Sequence, residues 1–301
     1  MPNKKVTIVT HDAGFHTDDI FAVATLSLIL EKEGKEFTVT RSRDKNIVAS
    51  GDYVVDVGGE YNKDRNRFDH HQEGKAGERG NGIPYASFGL VWEKFGEVLC
   101  GNLETAKKID QRLVQPIDAL DNGVKILKNE IKDVYPFDIG SIDFMFYPTW
   151  KEEDVNIDDR FLDRVTFAKS LLSRMIVFIG DEIEAEKFVI DAYNNADDKR
   201  LIVVVSNKYP WNEVLIKFSE PLFAVYKNPG EDTWSFKGLR NDYTSFVYRK
   251  FLPISWAGKT GEELEKTTGV KGAVFCHNAR FMAVAKTKEA ILKMAEIALN
   301  S

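Results

Sequence analysis

Four of the chain's five histidines lie in two short segments, each beside aspartates and just after a β-like apolar run. Imidazole nitrogens mixed with carboxylate oxygens form a ligand set that suits manganese, iron or zinc better than magnesium or calcium. This pattern therefore indicates divalent-metal chemistry. The candidate residues, in chain order, are His11, His16, Asp18, Asp56, Asp69, His70 and His71.

The segments contain more aspartates than one ion needs, which favours a pair of ions that share carboxylates. Asp18 and Asp56 could bridge two ions about 3.5–4 Å apart, an arrangement that activates a water and stabilises the oxygens of a phosphoryl displacement. The alternative is that each histidine is a solvated or core side chain and each aspartate a helix cap, Asp18 in particular. The joint arrangement favours a metal site, because buried charges persist only when they are paired or bound to metal.

The elements that must position these residues begin with an apolar run over residues 6–9, which is long enough for a strand and too short for a helix. A helix should follow, with Asp18 and Asp19 in its first turn. In a parallel sheet this junction is the carboxyl end of a strand, where open α/β folds bind their ligands. The residues expected on the apolar face of the helix are Ile20, Val23, Ala24, Ser27 and Leu28.

Further strands are predicted over residues 36–40 and from Tyr53 to the carboxylate of Asp56, where a Gly-Gly turn follows. A short stretch over 46–50 leads into the second of these strands. Residues 73–82, rich in glycine and charge, predict a mobile loop that could close over substrate.

Helical spacing returns over residues 85–99, and a further helix leads through Ile117. Residues 140–150 predict an irregular aromatic segment, which either packs against the protein or stacks on bases. The longest helical pattern runs over residues 158–195, with Gly180 as the candidate position of a break.

The remaining sequence predicts a second, smaller α/β domain. We therefore expect an α/β fold in which a mainly parallel sheet is flanked by helices, with domains at residues 1–195 and 196–301. The strands predicted in the second domain cover 201–205, 222–226, 234–239, 273–275 and 281–285, and the helices cover 260–264 and 287–299.

Composition restricts the function classes. The net charge of −6 disfavours a broad basic surface for duplex nucleic acid. No run approaches the roughly 18 apolar residues of a membrane span, and the first strand begins almost at the N-terminus, so we expect a cytoplasmic protein without a signal peptide. Cys100 and Cys276 lack metal-site spacing and are predicted to be ordinary buried thiols.

The motifs taken together resemble the melanocyte-proliferating-gene (Myg) family, a branch of the DHH phosphoesterase superfamily. The resemblance continues through residues 249–258 and 269–277, so it covers nearly the whole chain. The matching segments of the first half are Phe-His-x-Asp-Asp at 15–19, Asp-Val-Gly-Gly at 56–59, Phe-Asp-His-His-Gln at 68–72 and Ile-Asp-Ala-Leu-Asp-Asn-Gly at 117–123.

The resemblance implies a DHH-type site with two divalent ions, Mn²⁺ being favoured and Mg²⁺, Co²⁺ or Zn²⁺ possible. His11, His16 and Asp18 would supply the first motif, Asp56 the bridging carboxylate, and His70 a ligand of the second ion. His71 would orient a ligand or touch the scissile phosphate, and with Asp69 it is a catalytic candidate. The last ligand would be Asp118 or Asp121, which share one face if their segment is helical. Asp121 is favoured because it lies beside the Asn-Gly pair that would end the helix.

Substrate recognition should come from the second domain, because the metal centre contacts only a phosphate. Guanidinium groups match phosphate oxygens, although each basic side chain could equally be a solvated charge. The related proteins carry a glycine-rich substrate loop where this chain has Ala-Arg-Phe-Met-Ala-Val-Ala-Lys at 279–286. The candidates for phosphate or chain-end contact are Arg240, Arg249, Lys250, His277 and Arg280.

The resulting hypothesis is a divalent-metal-dependent phosphoesterase, a 3′–5′ exonuclease acting on single-stranded RNA through a water activated by two metal ions. One alternative is a pyrophosphatase, or a phosphatase of short oligonucleotides or nucleotides, that uses the same ions. Another is a metal-stabilised binding protein without activity, which the glycine-poor segment favours. The expected partner is single-stranded RNA or a short oligonucleotide, with no membrane partner and with a homodimer as a possibility.

Overall fold

The computed structural model describes residues 5–127, 131–242, 245 and 247–301. It divides into two compact units, Met1–Gly180 and Asp181–Ser301. The division falls inside the longest helix, whereas the sequence pattern placed the domain boundary at the end of that helix.

The sheet of the first unit is mainly parallel, as predicted. Its strand order is β2-β1-β3-β5-β4, and only the edge strand β4 runs antiparallel to its neighbour. Because β1, β3 and β5 are parallel neighbours, the residues that follow them meet at one edge of the sheet. The strands are β1 (Val6–Thr10), β2 (Phe37–Arg41), β3 (Tyr53–Val55), β4 (Tyr61–Asn62) and β5 (Arg67–Phe68).

Helices flank this sheet. A π-helical turn, Asp110–Val114, joins the fourth helix to the fifth. The helices are α1 (Thr17–Lys32), α2 (Lys45–Ser50), α3 (Ser87–Cys100), α4 (Leu103–Ile109), α5 (Gln115–Asp121), α6 (Ile139–Phe144) and α7 (Ile157–Asn194).

Helix α1 is buried on nearly every side, so the burial extends well beyond the apolar face that the sequence predicts. It packs against both the sheet and α3, and of the five residues assigned to that face only Leu28 is partly exposed. Two buried hydroxyls are satisfied within the helix, since Thr25 Oγ1 donates to the Phe21 carbonyl and Ser27 Oγ donates to the Val23 carbonyl, each at 2.8 Å. The helix begins after His16, so the alternative in which Asp18 is its N-cap is wrong.

Three other local predictions need correction. Residues 46–50 belong to helix α2. The carboxylate of its N-cap residue, Asp44, accepts hydrogen bonds from the backbone N–H groups of Asn46 and Ile47 at 2.9 and 3.1 Å. Part of the segment predicted to be irregular is helix α6, which is capped by Asp138. Helix α7 is continuous through Gly180, because one interior glycine costs only about 1 kcal/mol and leaves the backbone hydrogen bonds intact.

The second unit contains a mixed sheet with strand order β6-β7-β8-β10-β9, in which only β6 and β7 are parallel. One of its core clusters centres on Phe236, Trp256 and Met294 and includes the buried Cys276; Cys100, in the first unit, is half-buried. A 3₁₀ turn lies at Ile254–Trp256. The elements are β6 (Leu201–Val203), β7 (Phe223–Lys227), β8 (Trp234–Gly238), β9 (Ala273–Cys276), β10 (Met282–Ala285), α8 (Trp211–Leu215), α9 (Gly261–Thr268) and α10 (Lys288–Leu299).

Gly89→Ala should destabilise the protein strongly, whereas Gly180→Ala should not. A Cβ atom at Gly89 would lie 1.9 Å from Asp118 Oδ2 and 2.7 Å from an Arg79 nitrogen, but at Gly180 it would meet no atom within 4 Å. We expect Gly89→Ala to cost about 3 kcal/mol, because the added methyl group overpacks the site and disrupts the ion pair between Asp118 and Arg79. Gly180→Ala should stabilise the protein by up to about 1 kcal/mol. Urea denaturation followed by circular dichroism measures both. Equal effects of the two substitutions would contradict the packing described for α3.

Candidate metal centre

The carboxyl ends of three neighbouring strands bring His11, Asp56 and His70 together. His11 follows β1, and its Nε2 lies 3.2 Å from Asp56 Oδ2. His70 follows β5, and its Nε2 lies 3.3 Å from Asp56 Oδ1. Asp56 therefore faces one buried imidazole with each of its two oxygens, which is the position expected for a shared carboxylate ligand.

The start of α1 adds His16 and Asp18 to this cluster. Asp18 is fully buried, with Oδ2 lying 3.9 Å from His70 Nε2, and the ring centre of the exposed His16 lies 5.7 Å from that of His11. The sequence interpretation missed Asp19, whose Oδ2 lies 3.1 Å from His11 Nε2. Two consecutive acids at the start of a helix were the available signal.

Ser87, the first residue of α3, is a second residue that sequence reasoning missed. Its backbone N–H donates to Asp18 Oδ2 at 3.3 Å, and its hydroxyl donates to Asp56 Oδ1 at 2.9 Å. The side chain is fully buried. Ser87 therefore fixes the orientation of two carboxylates from the opposite side of the cluster, and no motif in the sequence marks it.

The structure separates the two aspartates of the fourth motif. Asp121 Oδ2 lies 3.3 Å from His70 Nε2, so this side chain joins the cluster. Asp118 is fully buried and binds elsewhere: its Oδ2 lies 2.7 Å from an Arg79 nitrogen, and its Oδ1 accepts a hydrogen bond from the Gly89 N–H at 3.0 Å. Arg79 belongs to the loop predicted to be mobile, and this ion pair ties the loop to α5.

Asp69 is placed beside the cluster and orients His71. Its Oδ1 lies 2.8 Å from His71 Nδ1, and its Oδ2 accepts a hydrogen bond from the Gly59 N–H at 2.5 Å. Gly58 and Gly59 both have positive φ angles, +100° and +67°, which glycine adopts without strain. With Nδ1 held by the carboxylate, Nε2 is the nitrogen of the half-exposed His71 that a ligand can reach.

Burial and charge crowding shift the pKa values in this cluster. Burial raises the pKa of Asp18 well above its usual range, and the charge of Asp56 acts in the same direction. Burial also acts to raise the pKa of Asp56, but His11 and His70 outweigh it and hold that pKa well below the usual range. Burial lowers the pKa of His11, and the carboxylates of Asp19 and Asp56 outweigh this and raise it to about 10.

The donor atoms fit divalent ions. The described residues contain three groups of potential metal ligands, and within each group the ligand atoms lie within 4.8 Å of one another. Asp56 belongs to two of these groups, and so does His16. Several buried atoms that point into the cluster have no hydrogen-bond partner of acceptable geometry there, which is unusual for buried polar groups. These atoms are His11 Nε2, His70 Nε2, Asp18 Oδ1 and Asp19 Oδ2. Groups of nitrogen and oxygen donors at this spacing could hold metal ions.

Tyr147 and Asp143 hold the loop that carries His16. The Tyr147 hydroxyl accepts a hydrogen bond from the Phe15 N–H at 2.6 Å and donates one to the Phe15 carbonyl. Asp143, which is buried against Arg164, accepts a hydrogen bond from the Thr17 hydroxyl at 2.7 Å. The aromatic segment predicted to pack or to stack on bases thus contributes one ring to positioning, and base stacking stays a prediction.

Two basic residues predicted to bind substrate in the second unit have internal partners. The Arg249 guanidinium donates to the carbonyls of Ile216, Phe218 and Pro221 at 2.6–3.0 Å. Lys250 Nζ donates to the Leu299 carbonyl at 2.8 Å and to a Ser301 oxygen at 3.0 Å. Both side chains tie chain segments together, and their binding to phosphate stays a prediction.

His277 and Arg280 lie at the turn between β9 and β10. His277 Nδ1 accepts a hydrogen bond from the Ala279 N–H at 3.0 Å, and its ring centre lies 4.3 Å from that of Phe281. Arg280 has a φ of +56°, a conformation that glycine would adopt without strain, and its guanidinium lies over the Phe251 ring. Arg240 is half-buried and forms an isolated β-bridge with Tyr248. Their roles in substrate binding also stay predictions.

The fold and the site define a class of protein: an α/β protein whose parallel sheet gathers a histidine and aspartate cluster, suited to metal ions, at its carboxyl edge. Within the described residues, none of the helices combines the length and apolar character needed to cross a lipid bilayer.

The chain belongs to the MYG1_exonuc family, described as Uncharacterised protein family UPF0160, which matches residues 7–299. The MYG1 protein of Dictyostelium discoideum is 28% identical, with 98% of this chain and 97% of the relative covered. The MYG1 exonuclease of Homo sapiens is 28% identical, with coverage of 97% and 85%. The MYG1 protein of Chlamydia pneumoniae is 28% identical, with coverage of 98% and 97%. The resemblance to the Myg family is therefore confirmed.

Asp118→Asn and Asp121→Asn should change stability in opposite directions in metal-free protein at neutral pH. Asp118→Asn removes the carboxylate that pairs with the buried Arg79 guanidinium, and this loss should outweigh the relief of a carboxyl whose pKa burial raises to about 7, so it should cost about 3 kcal/mol. Asp121→Asn removes a charge that burial and Asp56 both disfavour, which is why the pKa of Asp121 is raised, so it should increase the free energy of unfolding. Denaturation in the presence of a chelator measures both. A loss of stability in Asp121→Asn as large as in Asp118→Asn would show that the two roles are assigned wrongly.

Proposed function

We propose that this protein is a divalent-metal-dependent phosphodiester hydrolase that removes nucleotides from the 3′ end of single-stranded RNA in the cytoplasm, with two ions and Mn²⁺ favoured. One observation carries the proposal: His11, Asp56 and His70 converge at the carboxyl edge of one sheet, among buried donor atoms without hydrogen-bond partners. The name of the family and the exonuclease designation of the human relative support hydrolysis of nucleic acid.

The cluster divides into overlapping ligand groups. His11, His16 and Asp56 would hold one ion, and Asp56 would share its other oxygen with a second ion at His70. Asp18 and Asp121, which form a further group with His16, would complete the set. When bound, the ions supply Lewis-acid polarisation of the phosphate and lower the pKa of an attacking water.

His71 is the side chain best placed to meet the substrate outside the ligand set. Asp69 holds its Nδ1 and leaves Nε2 free to donate a hydrogen bond to a phosphate oxygen when the ring is protonated. His71 would thereby stabilise the charge that develops on the phosphate during displacement.

Single-stranded RNA and the 3′–5′ direction are the parts of this proposal that rest on the family resemblance. The net charge of −6 suits an enzyme that takes one chain end, because ions in the site would supply positive charge locally. A homodimer stays a prediction.

Wild-type protein loaded with Mn²⁺ should shorten a 5′-labelled single-stranded RNA one nucleotide at a time, and a blocked 3′ end should prevent this. Asp56→Asn should lower turnover by at least about a hundredfold, because it removes the shared carboxylate, while asparagine tolerates the left-handed backbone at this position. Asp64→Asn, at an exposed turn, is the matched control and should retain activity. Gel analysis of the time course gives both direction and rate.

The same assay separates the alternatives. Faster turnover of pyrophosphate or dinucleotides than of longer RNA would favour the pyrophosphatase or short-oligonucleotide phosphatase. Stabilisation by Mn²⁺ without turnover of RNA, DNA, nucleotide or pyrophosphate substrates would favour a binding protein and would sink the proposed activity.

Metal binding should release protons, and its affinity should rise with pH. The pKa of His11 in the metal-free protein is raised to about 10, so the ring holds a proton at neutral pH that an ion bound at Nε2 must displace. We expect about one or more protons released, with affinity rising about tenfold per pH unit for each displaced proton between pH 6 and 8. Calorimetry in buffers of different ionisation enthalpy counts the protons, and His11→Gln should lower the count. A binding enthalpy that does not depend on the buffer would contradict this prediction.

A further inference from the structure

A cleft of about 780 Å³ opens beside the candidate metal centre, entirely within the first unit. It shares His11, Asp56 and His71 with the cluster and extends away from them along the sheet edge towards α2. This volume lies in the range of pockets that hold whole small molecules and exceeds what a single phosphate group needs. The rest of the cleft is therefore available to the part of a substrate that flanks the scissile phosphate.

The far wall of the cleft combines apolar surface with basic side chains. Val48 and Val57 line it, together with Arg43, Lys45, Arg65 and Arg67. An apolar wall next to positive charge suits a nucleoside joined to a phosphate, in which a flat apolar base is attached to an anion.

Carboxylates neutralise two of these four cations. Arg43 lies 2.8 Å from Asp12 Oδ1, and Arg65 lies 3.0 Å from Glu60 Oε1. These ion pairs neutralise both guanidinium groups within the protein, so neither charge calls for a ligand.

Arg67 is different, because it is a half-buried residue whose guanidinium binds only backbone among the described residues. It donates to the carbonyls of Arg65, Asn66 and Ala49 at 3.0–3.5 Å, and the described residues place no carboxylate within ion-pair distance of it. Lys45, at the start of α2, likewise has no carboxylate partner among these residues. Carbonyl oxygens orient the Arg67 fork but do not neutralise its charge, so the cleft presents a fixed cation.

The sheet fixes where Arg67 lies relative to the cluster. Arg67 opens the two-residue strand β5, and His70 and His71 follow two and three residues after that strand ends. Its register is set by pairing with Val54, two residues before Asp56. The same strand therefore carries the cation of the cleft and leads directly into the histidines of the metal centre.

We propose that Arg67, assisted by Lys45, binds the phosphate adjacent to the scissile one, so that the site prefers oligonucleotides with at least two phosphodiesters over isolated diesters. This inference rests on the proposed phosphodiester hydrolysis and specifies its substrate class. The nucleoside between the two phosphates occupies the apolar wall formed by Val48 and Val57. The guanidinium fork of Arg67 then supplies paired hydrogen bonds to phosphate oxygens.

The test compares kcat/KM for a single-stranded RNA of about five nucleotides with kcat/KM for bis(p-nitrophenyl) phosphate, in Mn²⁺-loaded full-length protein. Arg67→Gln should lower the ratio of RNA to diester by about tenfold or more, mainly through KM for RNA, because a charge-assisted contact to phosphate is lost. Lys45→Gln should lower it by a smaller factor, and Arg67→Lys should fall between wild type and Arg67→Gln. Arg174→Gln, which removes the same charge from an exposed position on α7, should leave the ratio unchanged.

An unchanged ratio in both Arg67→Gln and Lys45→Gln would overturn the inference while leaving the proposed hydrolysis intact. If Arg67→Gln lowers kcat/KM for RNA and for the diester by the same factor, the inference is also overturned, because Arg67 would then act on the metal centre itself. If wild-type protein hydrolyses neither substrate, the proposed function fails. Fluorescence anisotropy of labelled RNA then tests separately whether Arg67 binds RNA. Weaker binding by Arg67→Gln than by Arg174→Gln supports the assignment, and equal binding refutes it.

Discussion

The arrangement of this protein depends on placing several carboxylates out of water at one edge of a sheet. Asp18, Asp19 and Asp56 are buried within reach of one another, and like charges in such a setting repel strongly. Two buried imidazoles, His11 and His70, offset only part of that charge. The fold therefore holds a region of negative potential in a fixed shape, which is what a site for divalent cations requires.

The surrounding structure maintains that shape through groups that are not themselves donors to the cluster. Ser87 fixes two carboxylates, Tyr147 holds the loop before His16, and Asp69 fixes both His71 and the Gly-Gly turn. Supporting contacts of this kind orient ligands and tune their basicity. Ser87 and Tyr147 come from elements distant in sequence from the residues they hold, whereas Asp69 belongs to the same motif as His71 and connects it to the turn at Gly59. The precision of the site therefore depends on the tertiary fold as well as on its motifs.

Sequence reasoning succeeded where a local pattern carries three-dimensional meaning. Short apolar runs ending in His11 and Asp56 mark strand ends, and parallel strands bring their ends to one edge, so the meeting of these residues with His70 followed from topology. It favoured Asp121 over Asp118 only for its place beside the Asn-Gly pair, because residues three apart share a helix face. The contacts of Asp121 with His70 and of Asp118 with Arg79 are what distinguish them. Periodicity likewise describes one helix at a time, so it gave no sign that α1 is enclosed by both the sheet and α3.

The basic wall of the cleft also escaped the sequence interpretation. Arg67 lies on a strand of two residues, too short for a propensity signal, and its unneutralised charge is a property of its neighbours. Basic residues of the second unit drew attention instead, yet Arg249 and Lys250 bind carbonyl and terminal oxygens there. Whether a cation is available to a ligand depends on its contacts, which sequence does not supply.

Asp56 occupies the left-handed region of backbone space, with φ of +55°, where a residue with a Cβ costs about 1–2 kcal/mol. His11 and His70 hold the pKa of this carboxyl well below its usual range, so its charge stabilises the folded protein at neutral pH and offsets the backbone cost. Glycine here would relieve the backbone and leave the two buried imidazoles without their shared counter-charge. A laboratory evolution campaign that keeps only the survivors of heating would thus retain the carboxylate of Asp56, and with it the residue on which the ligand set converges.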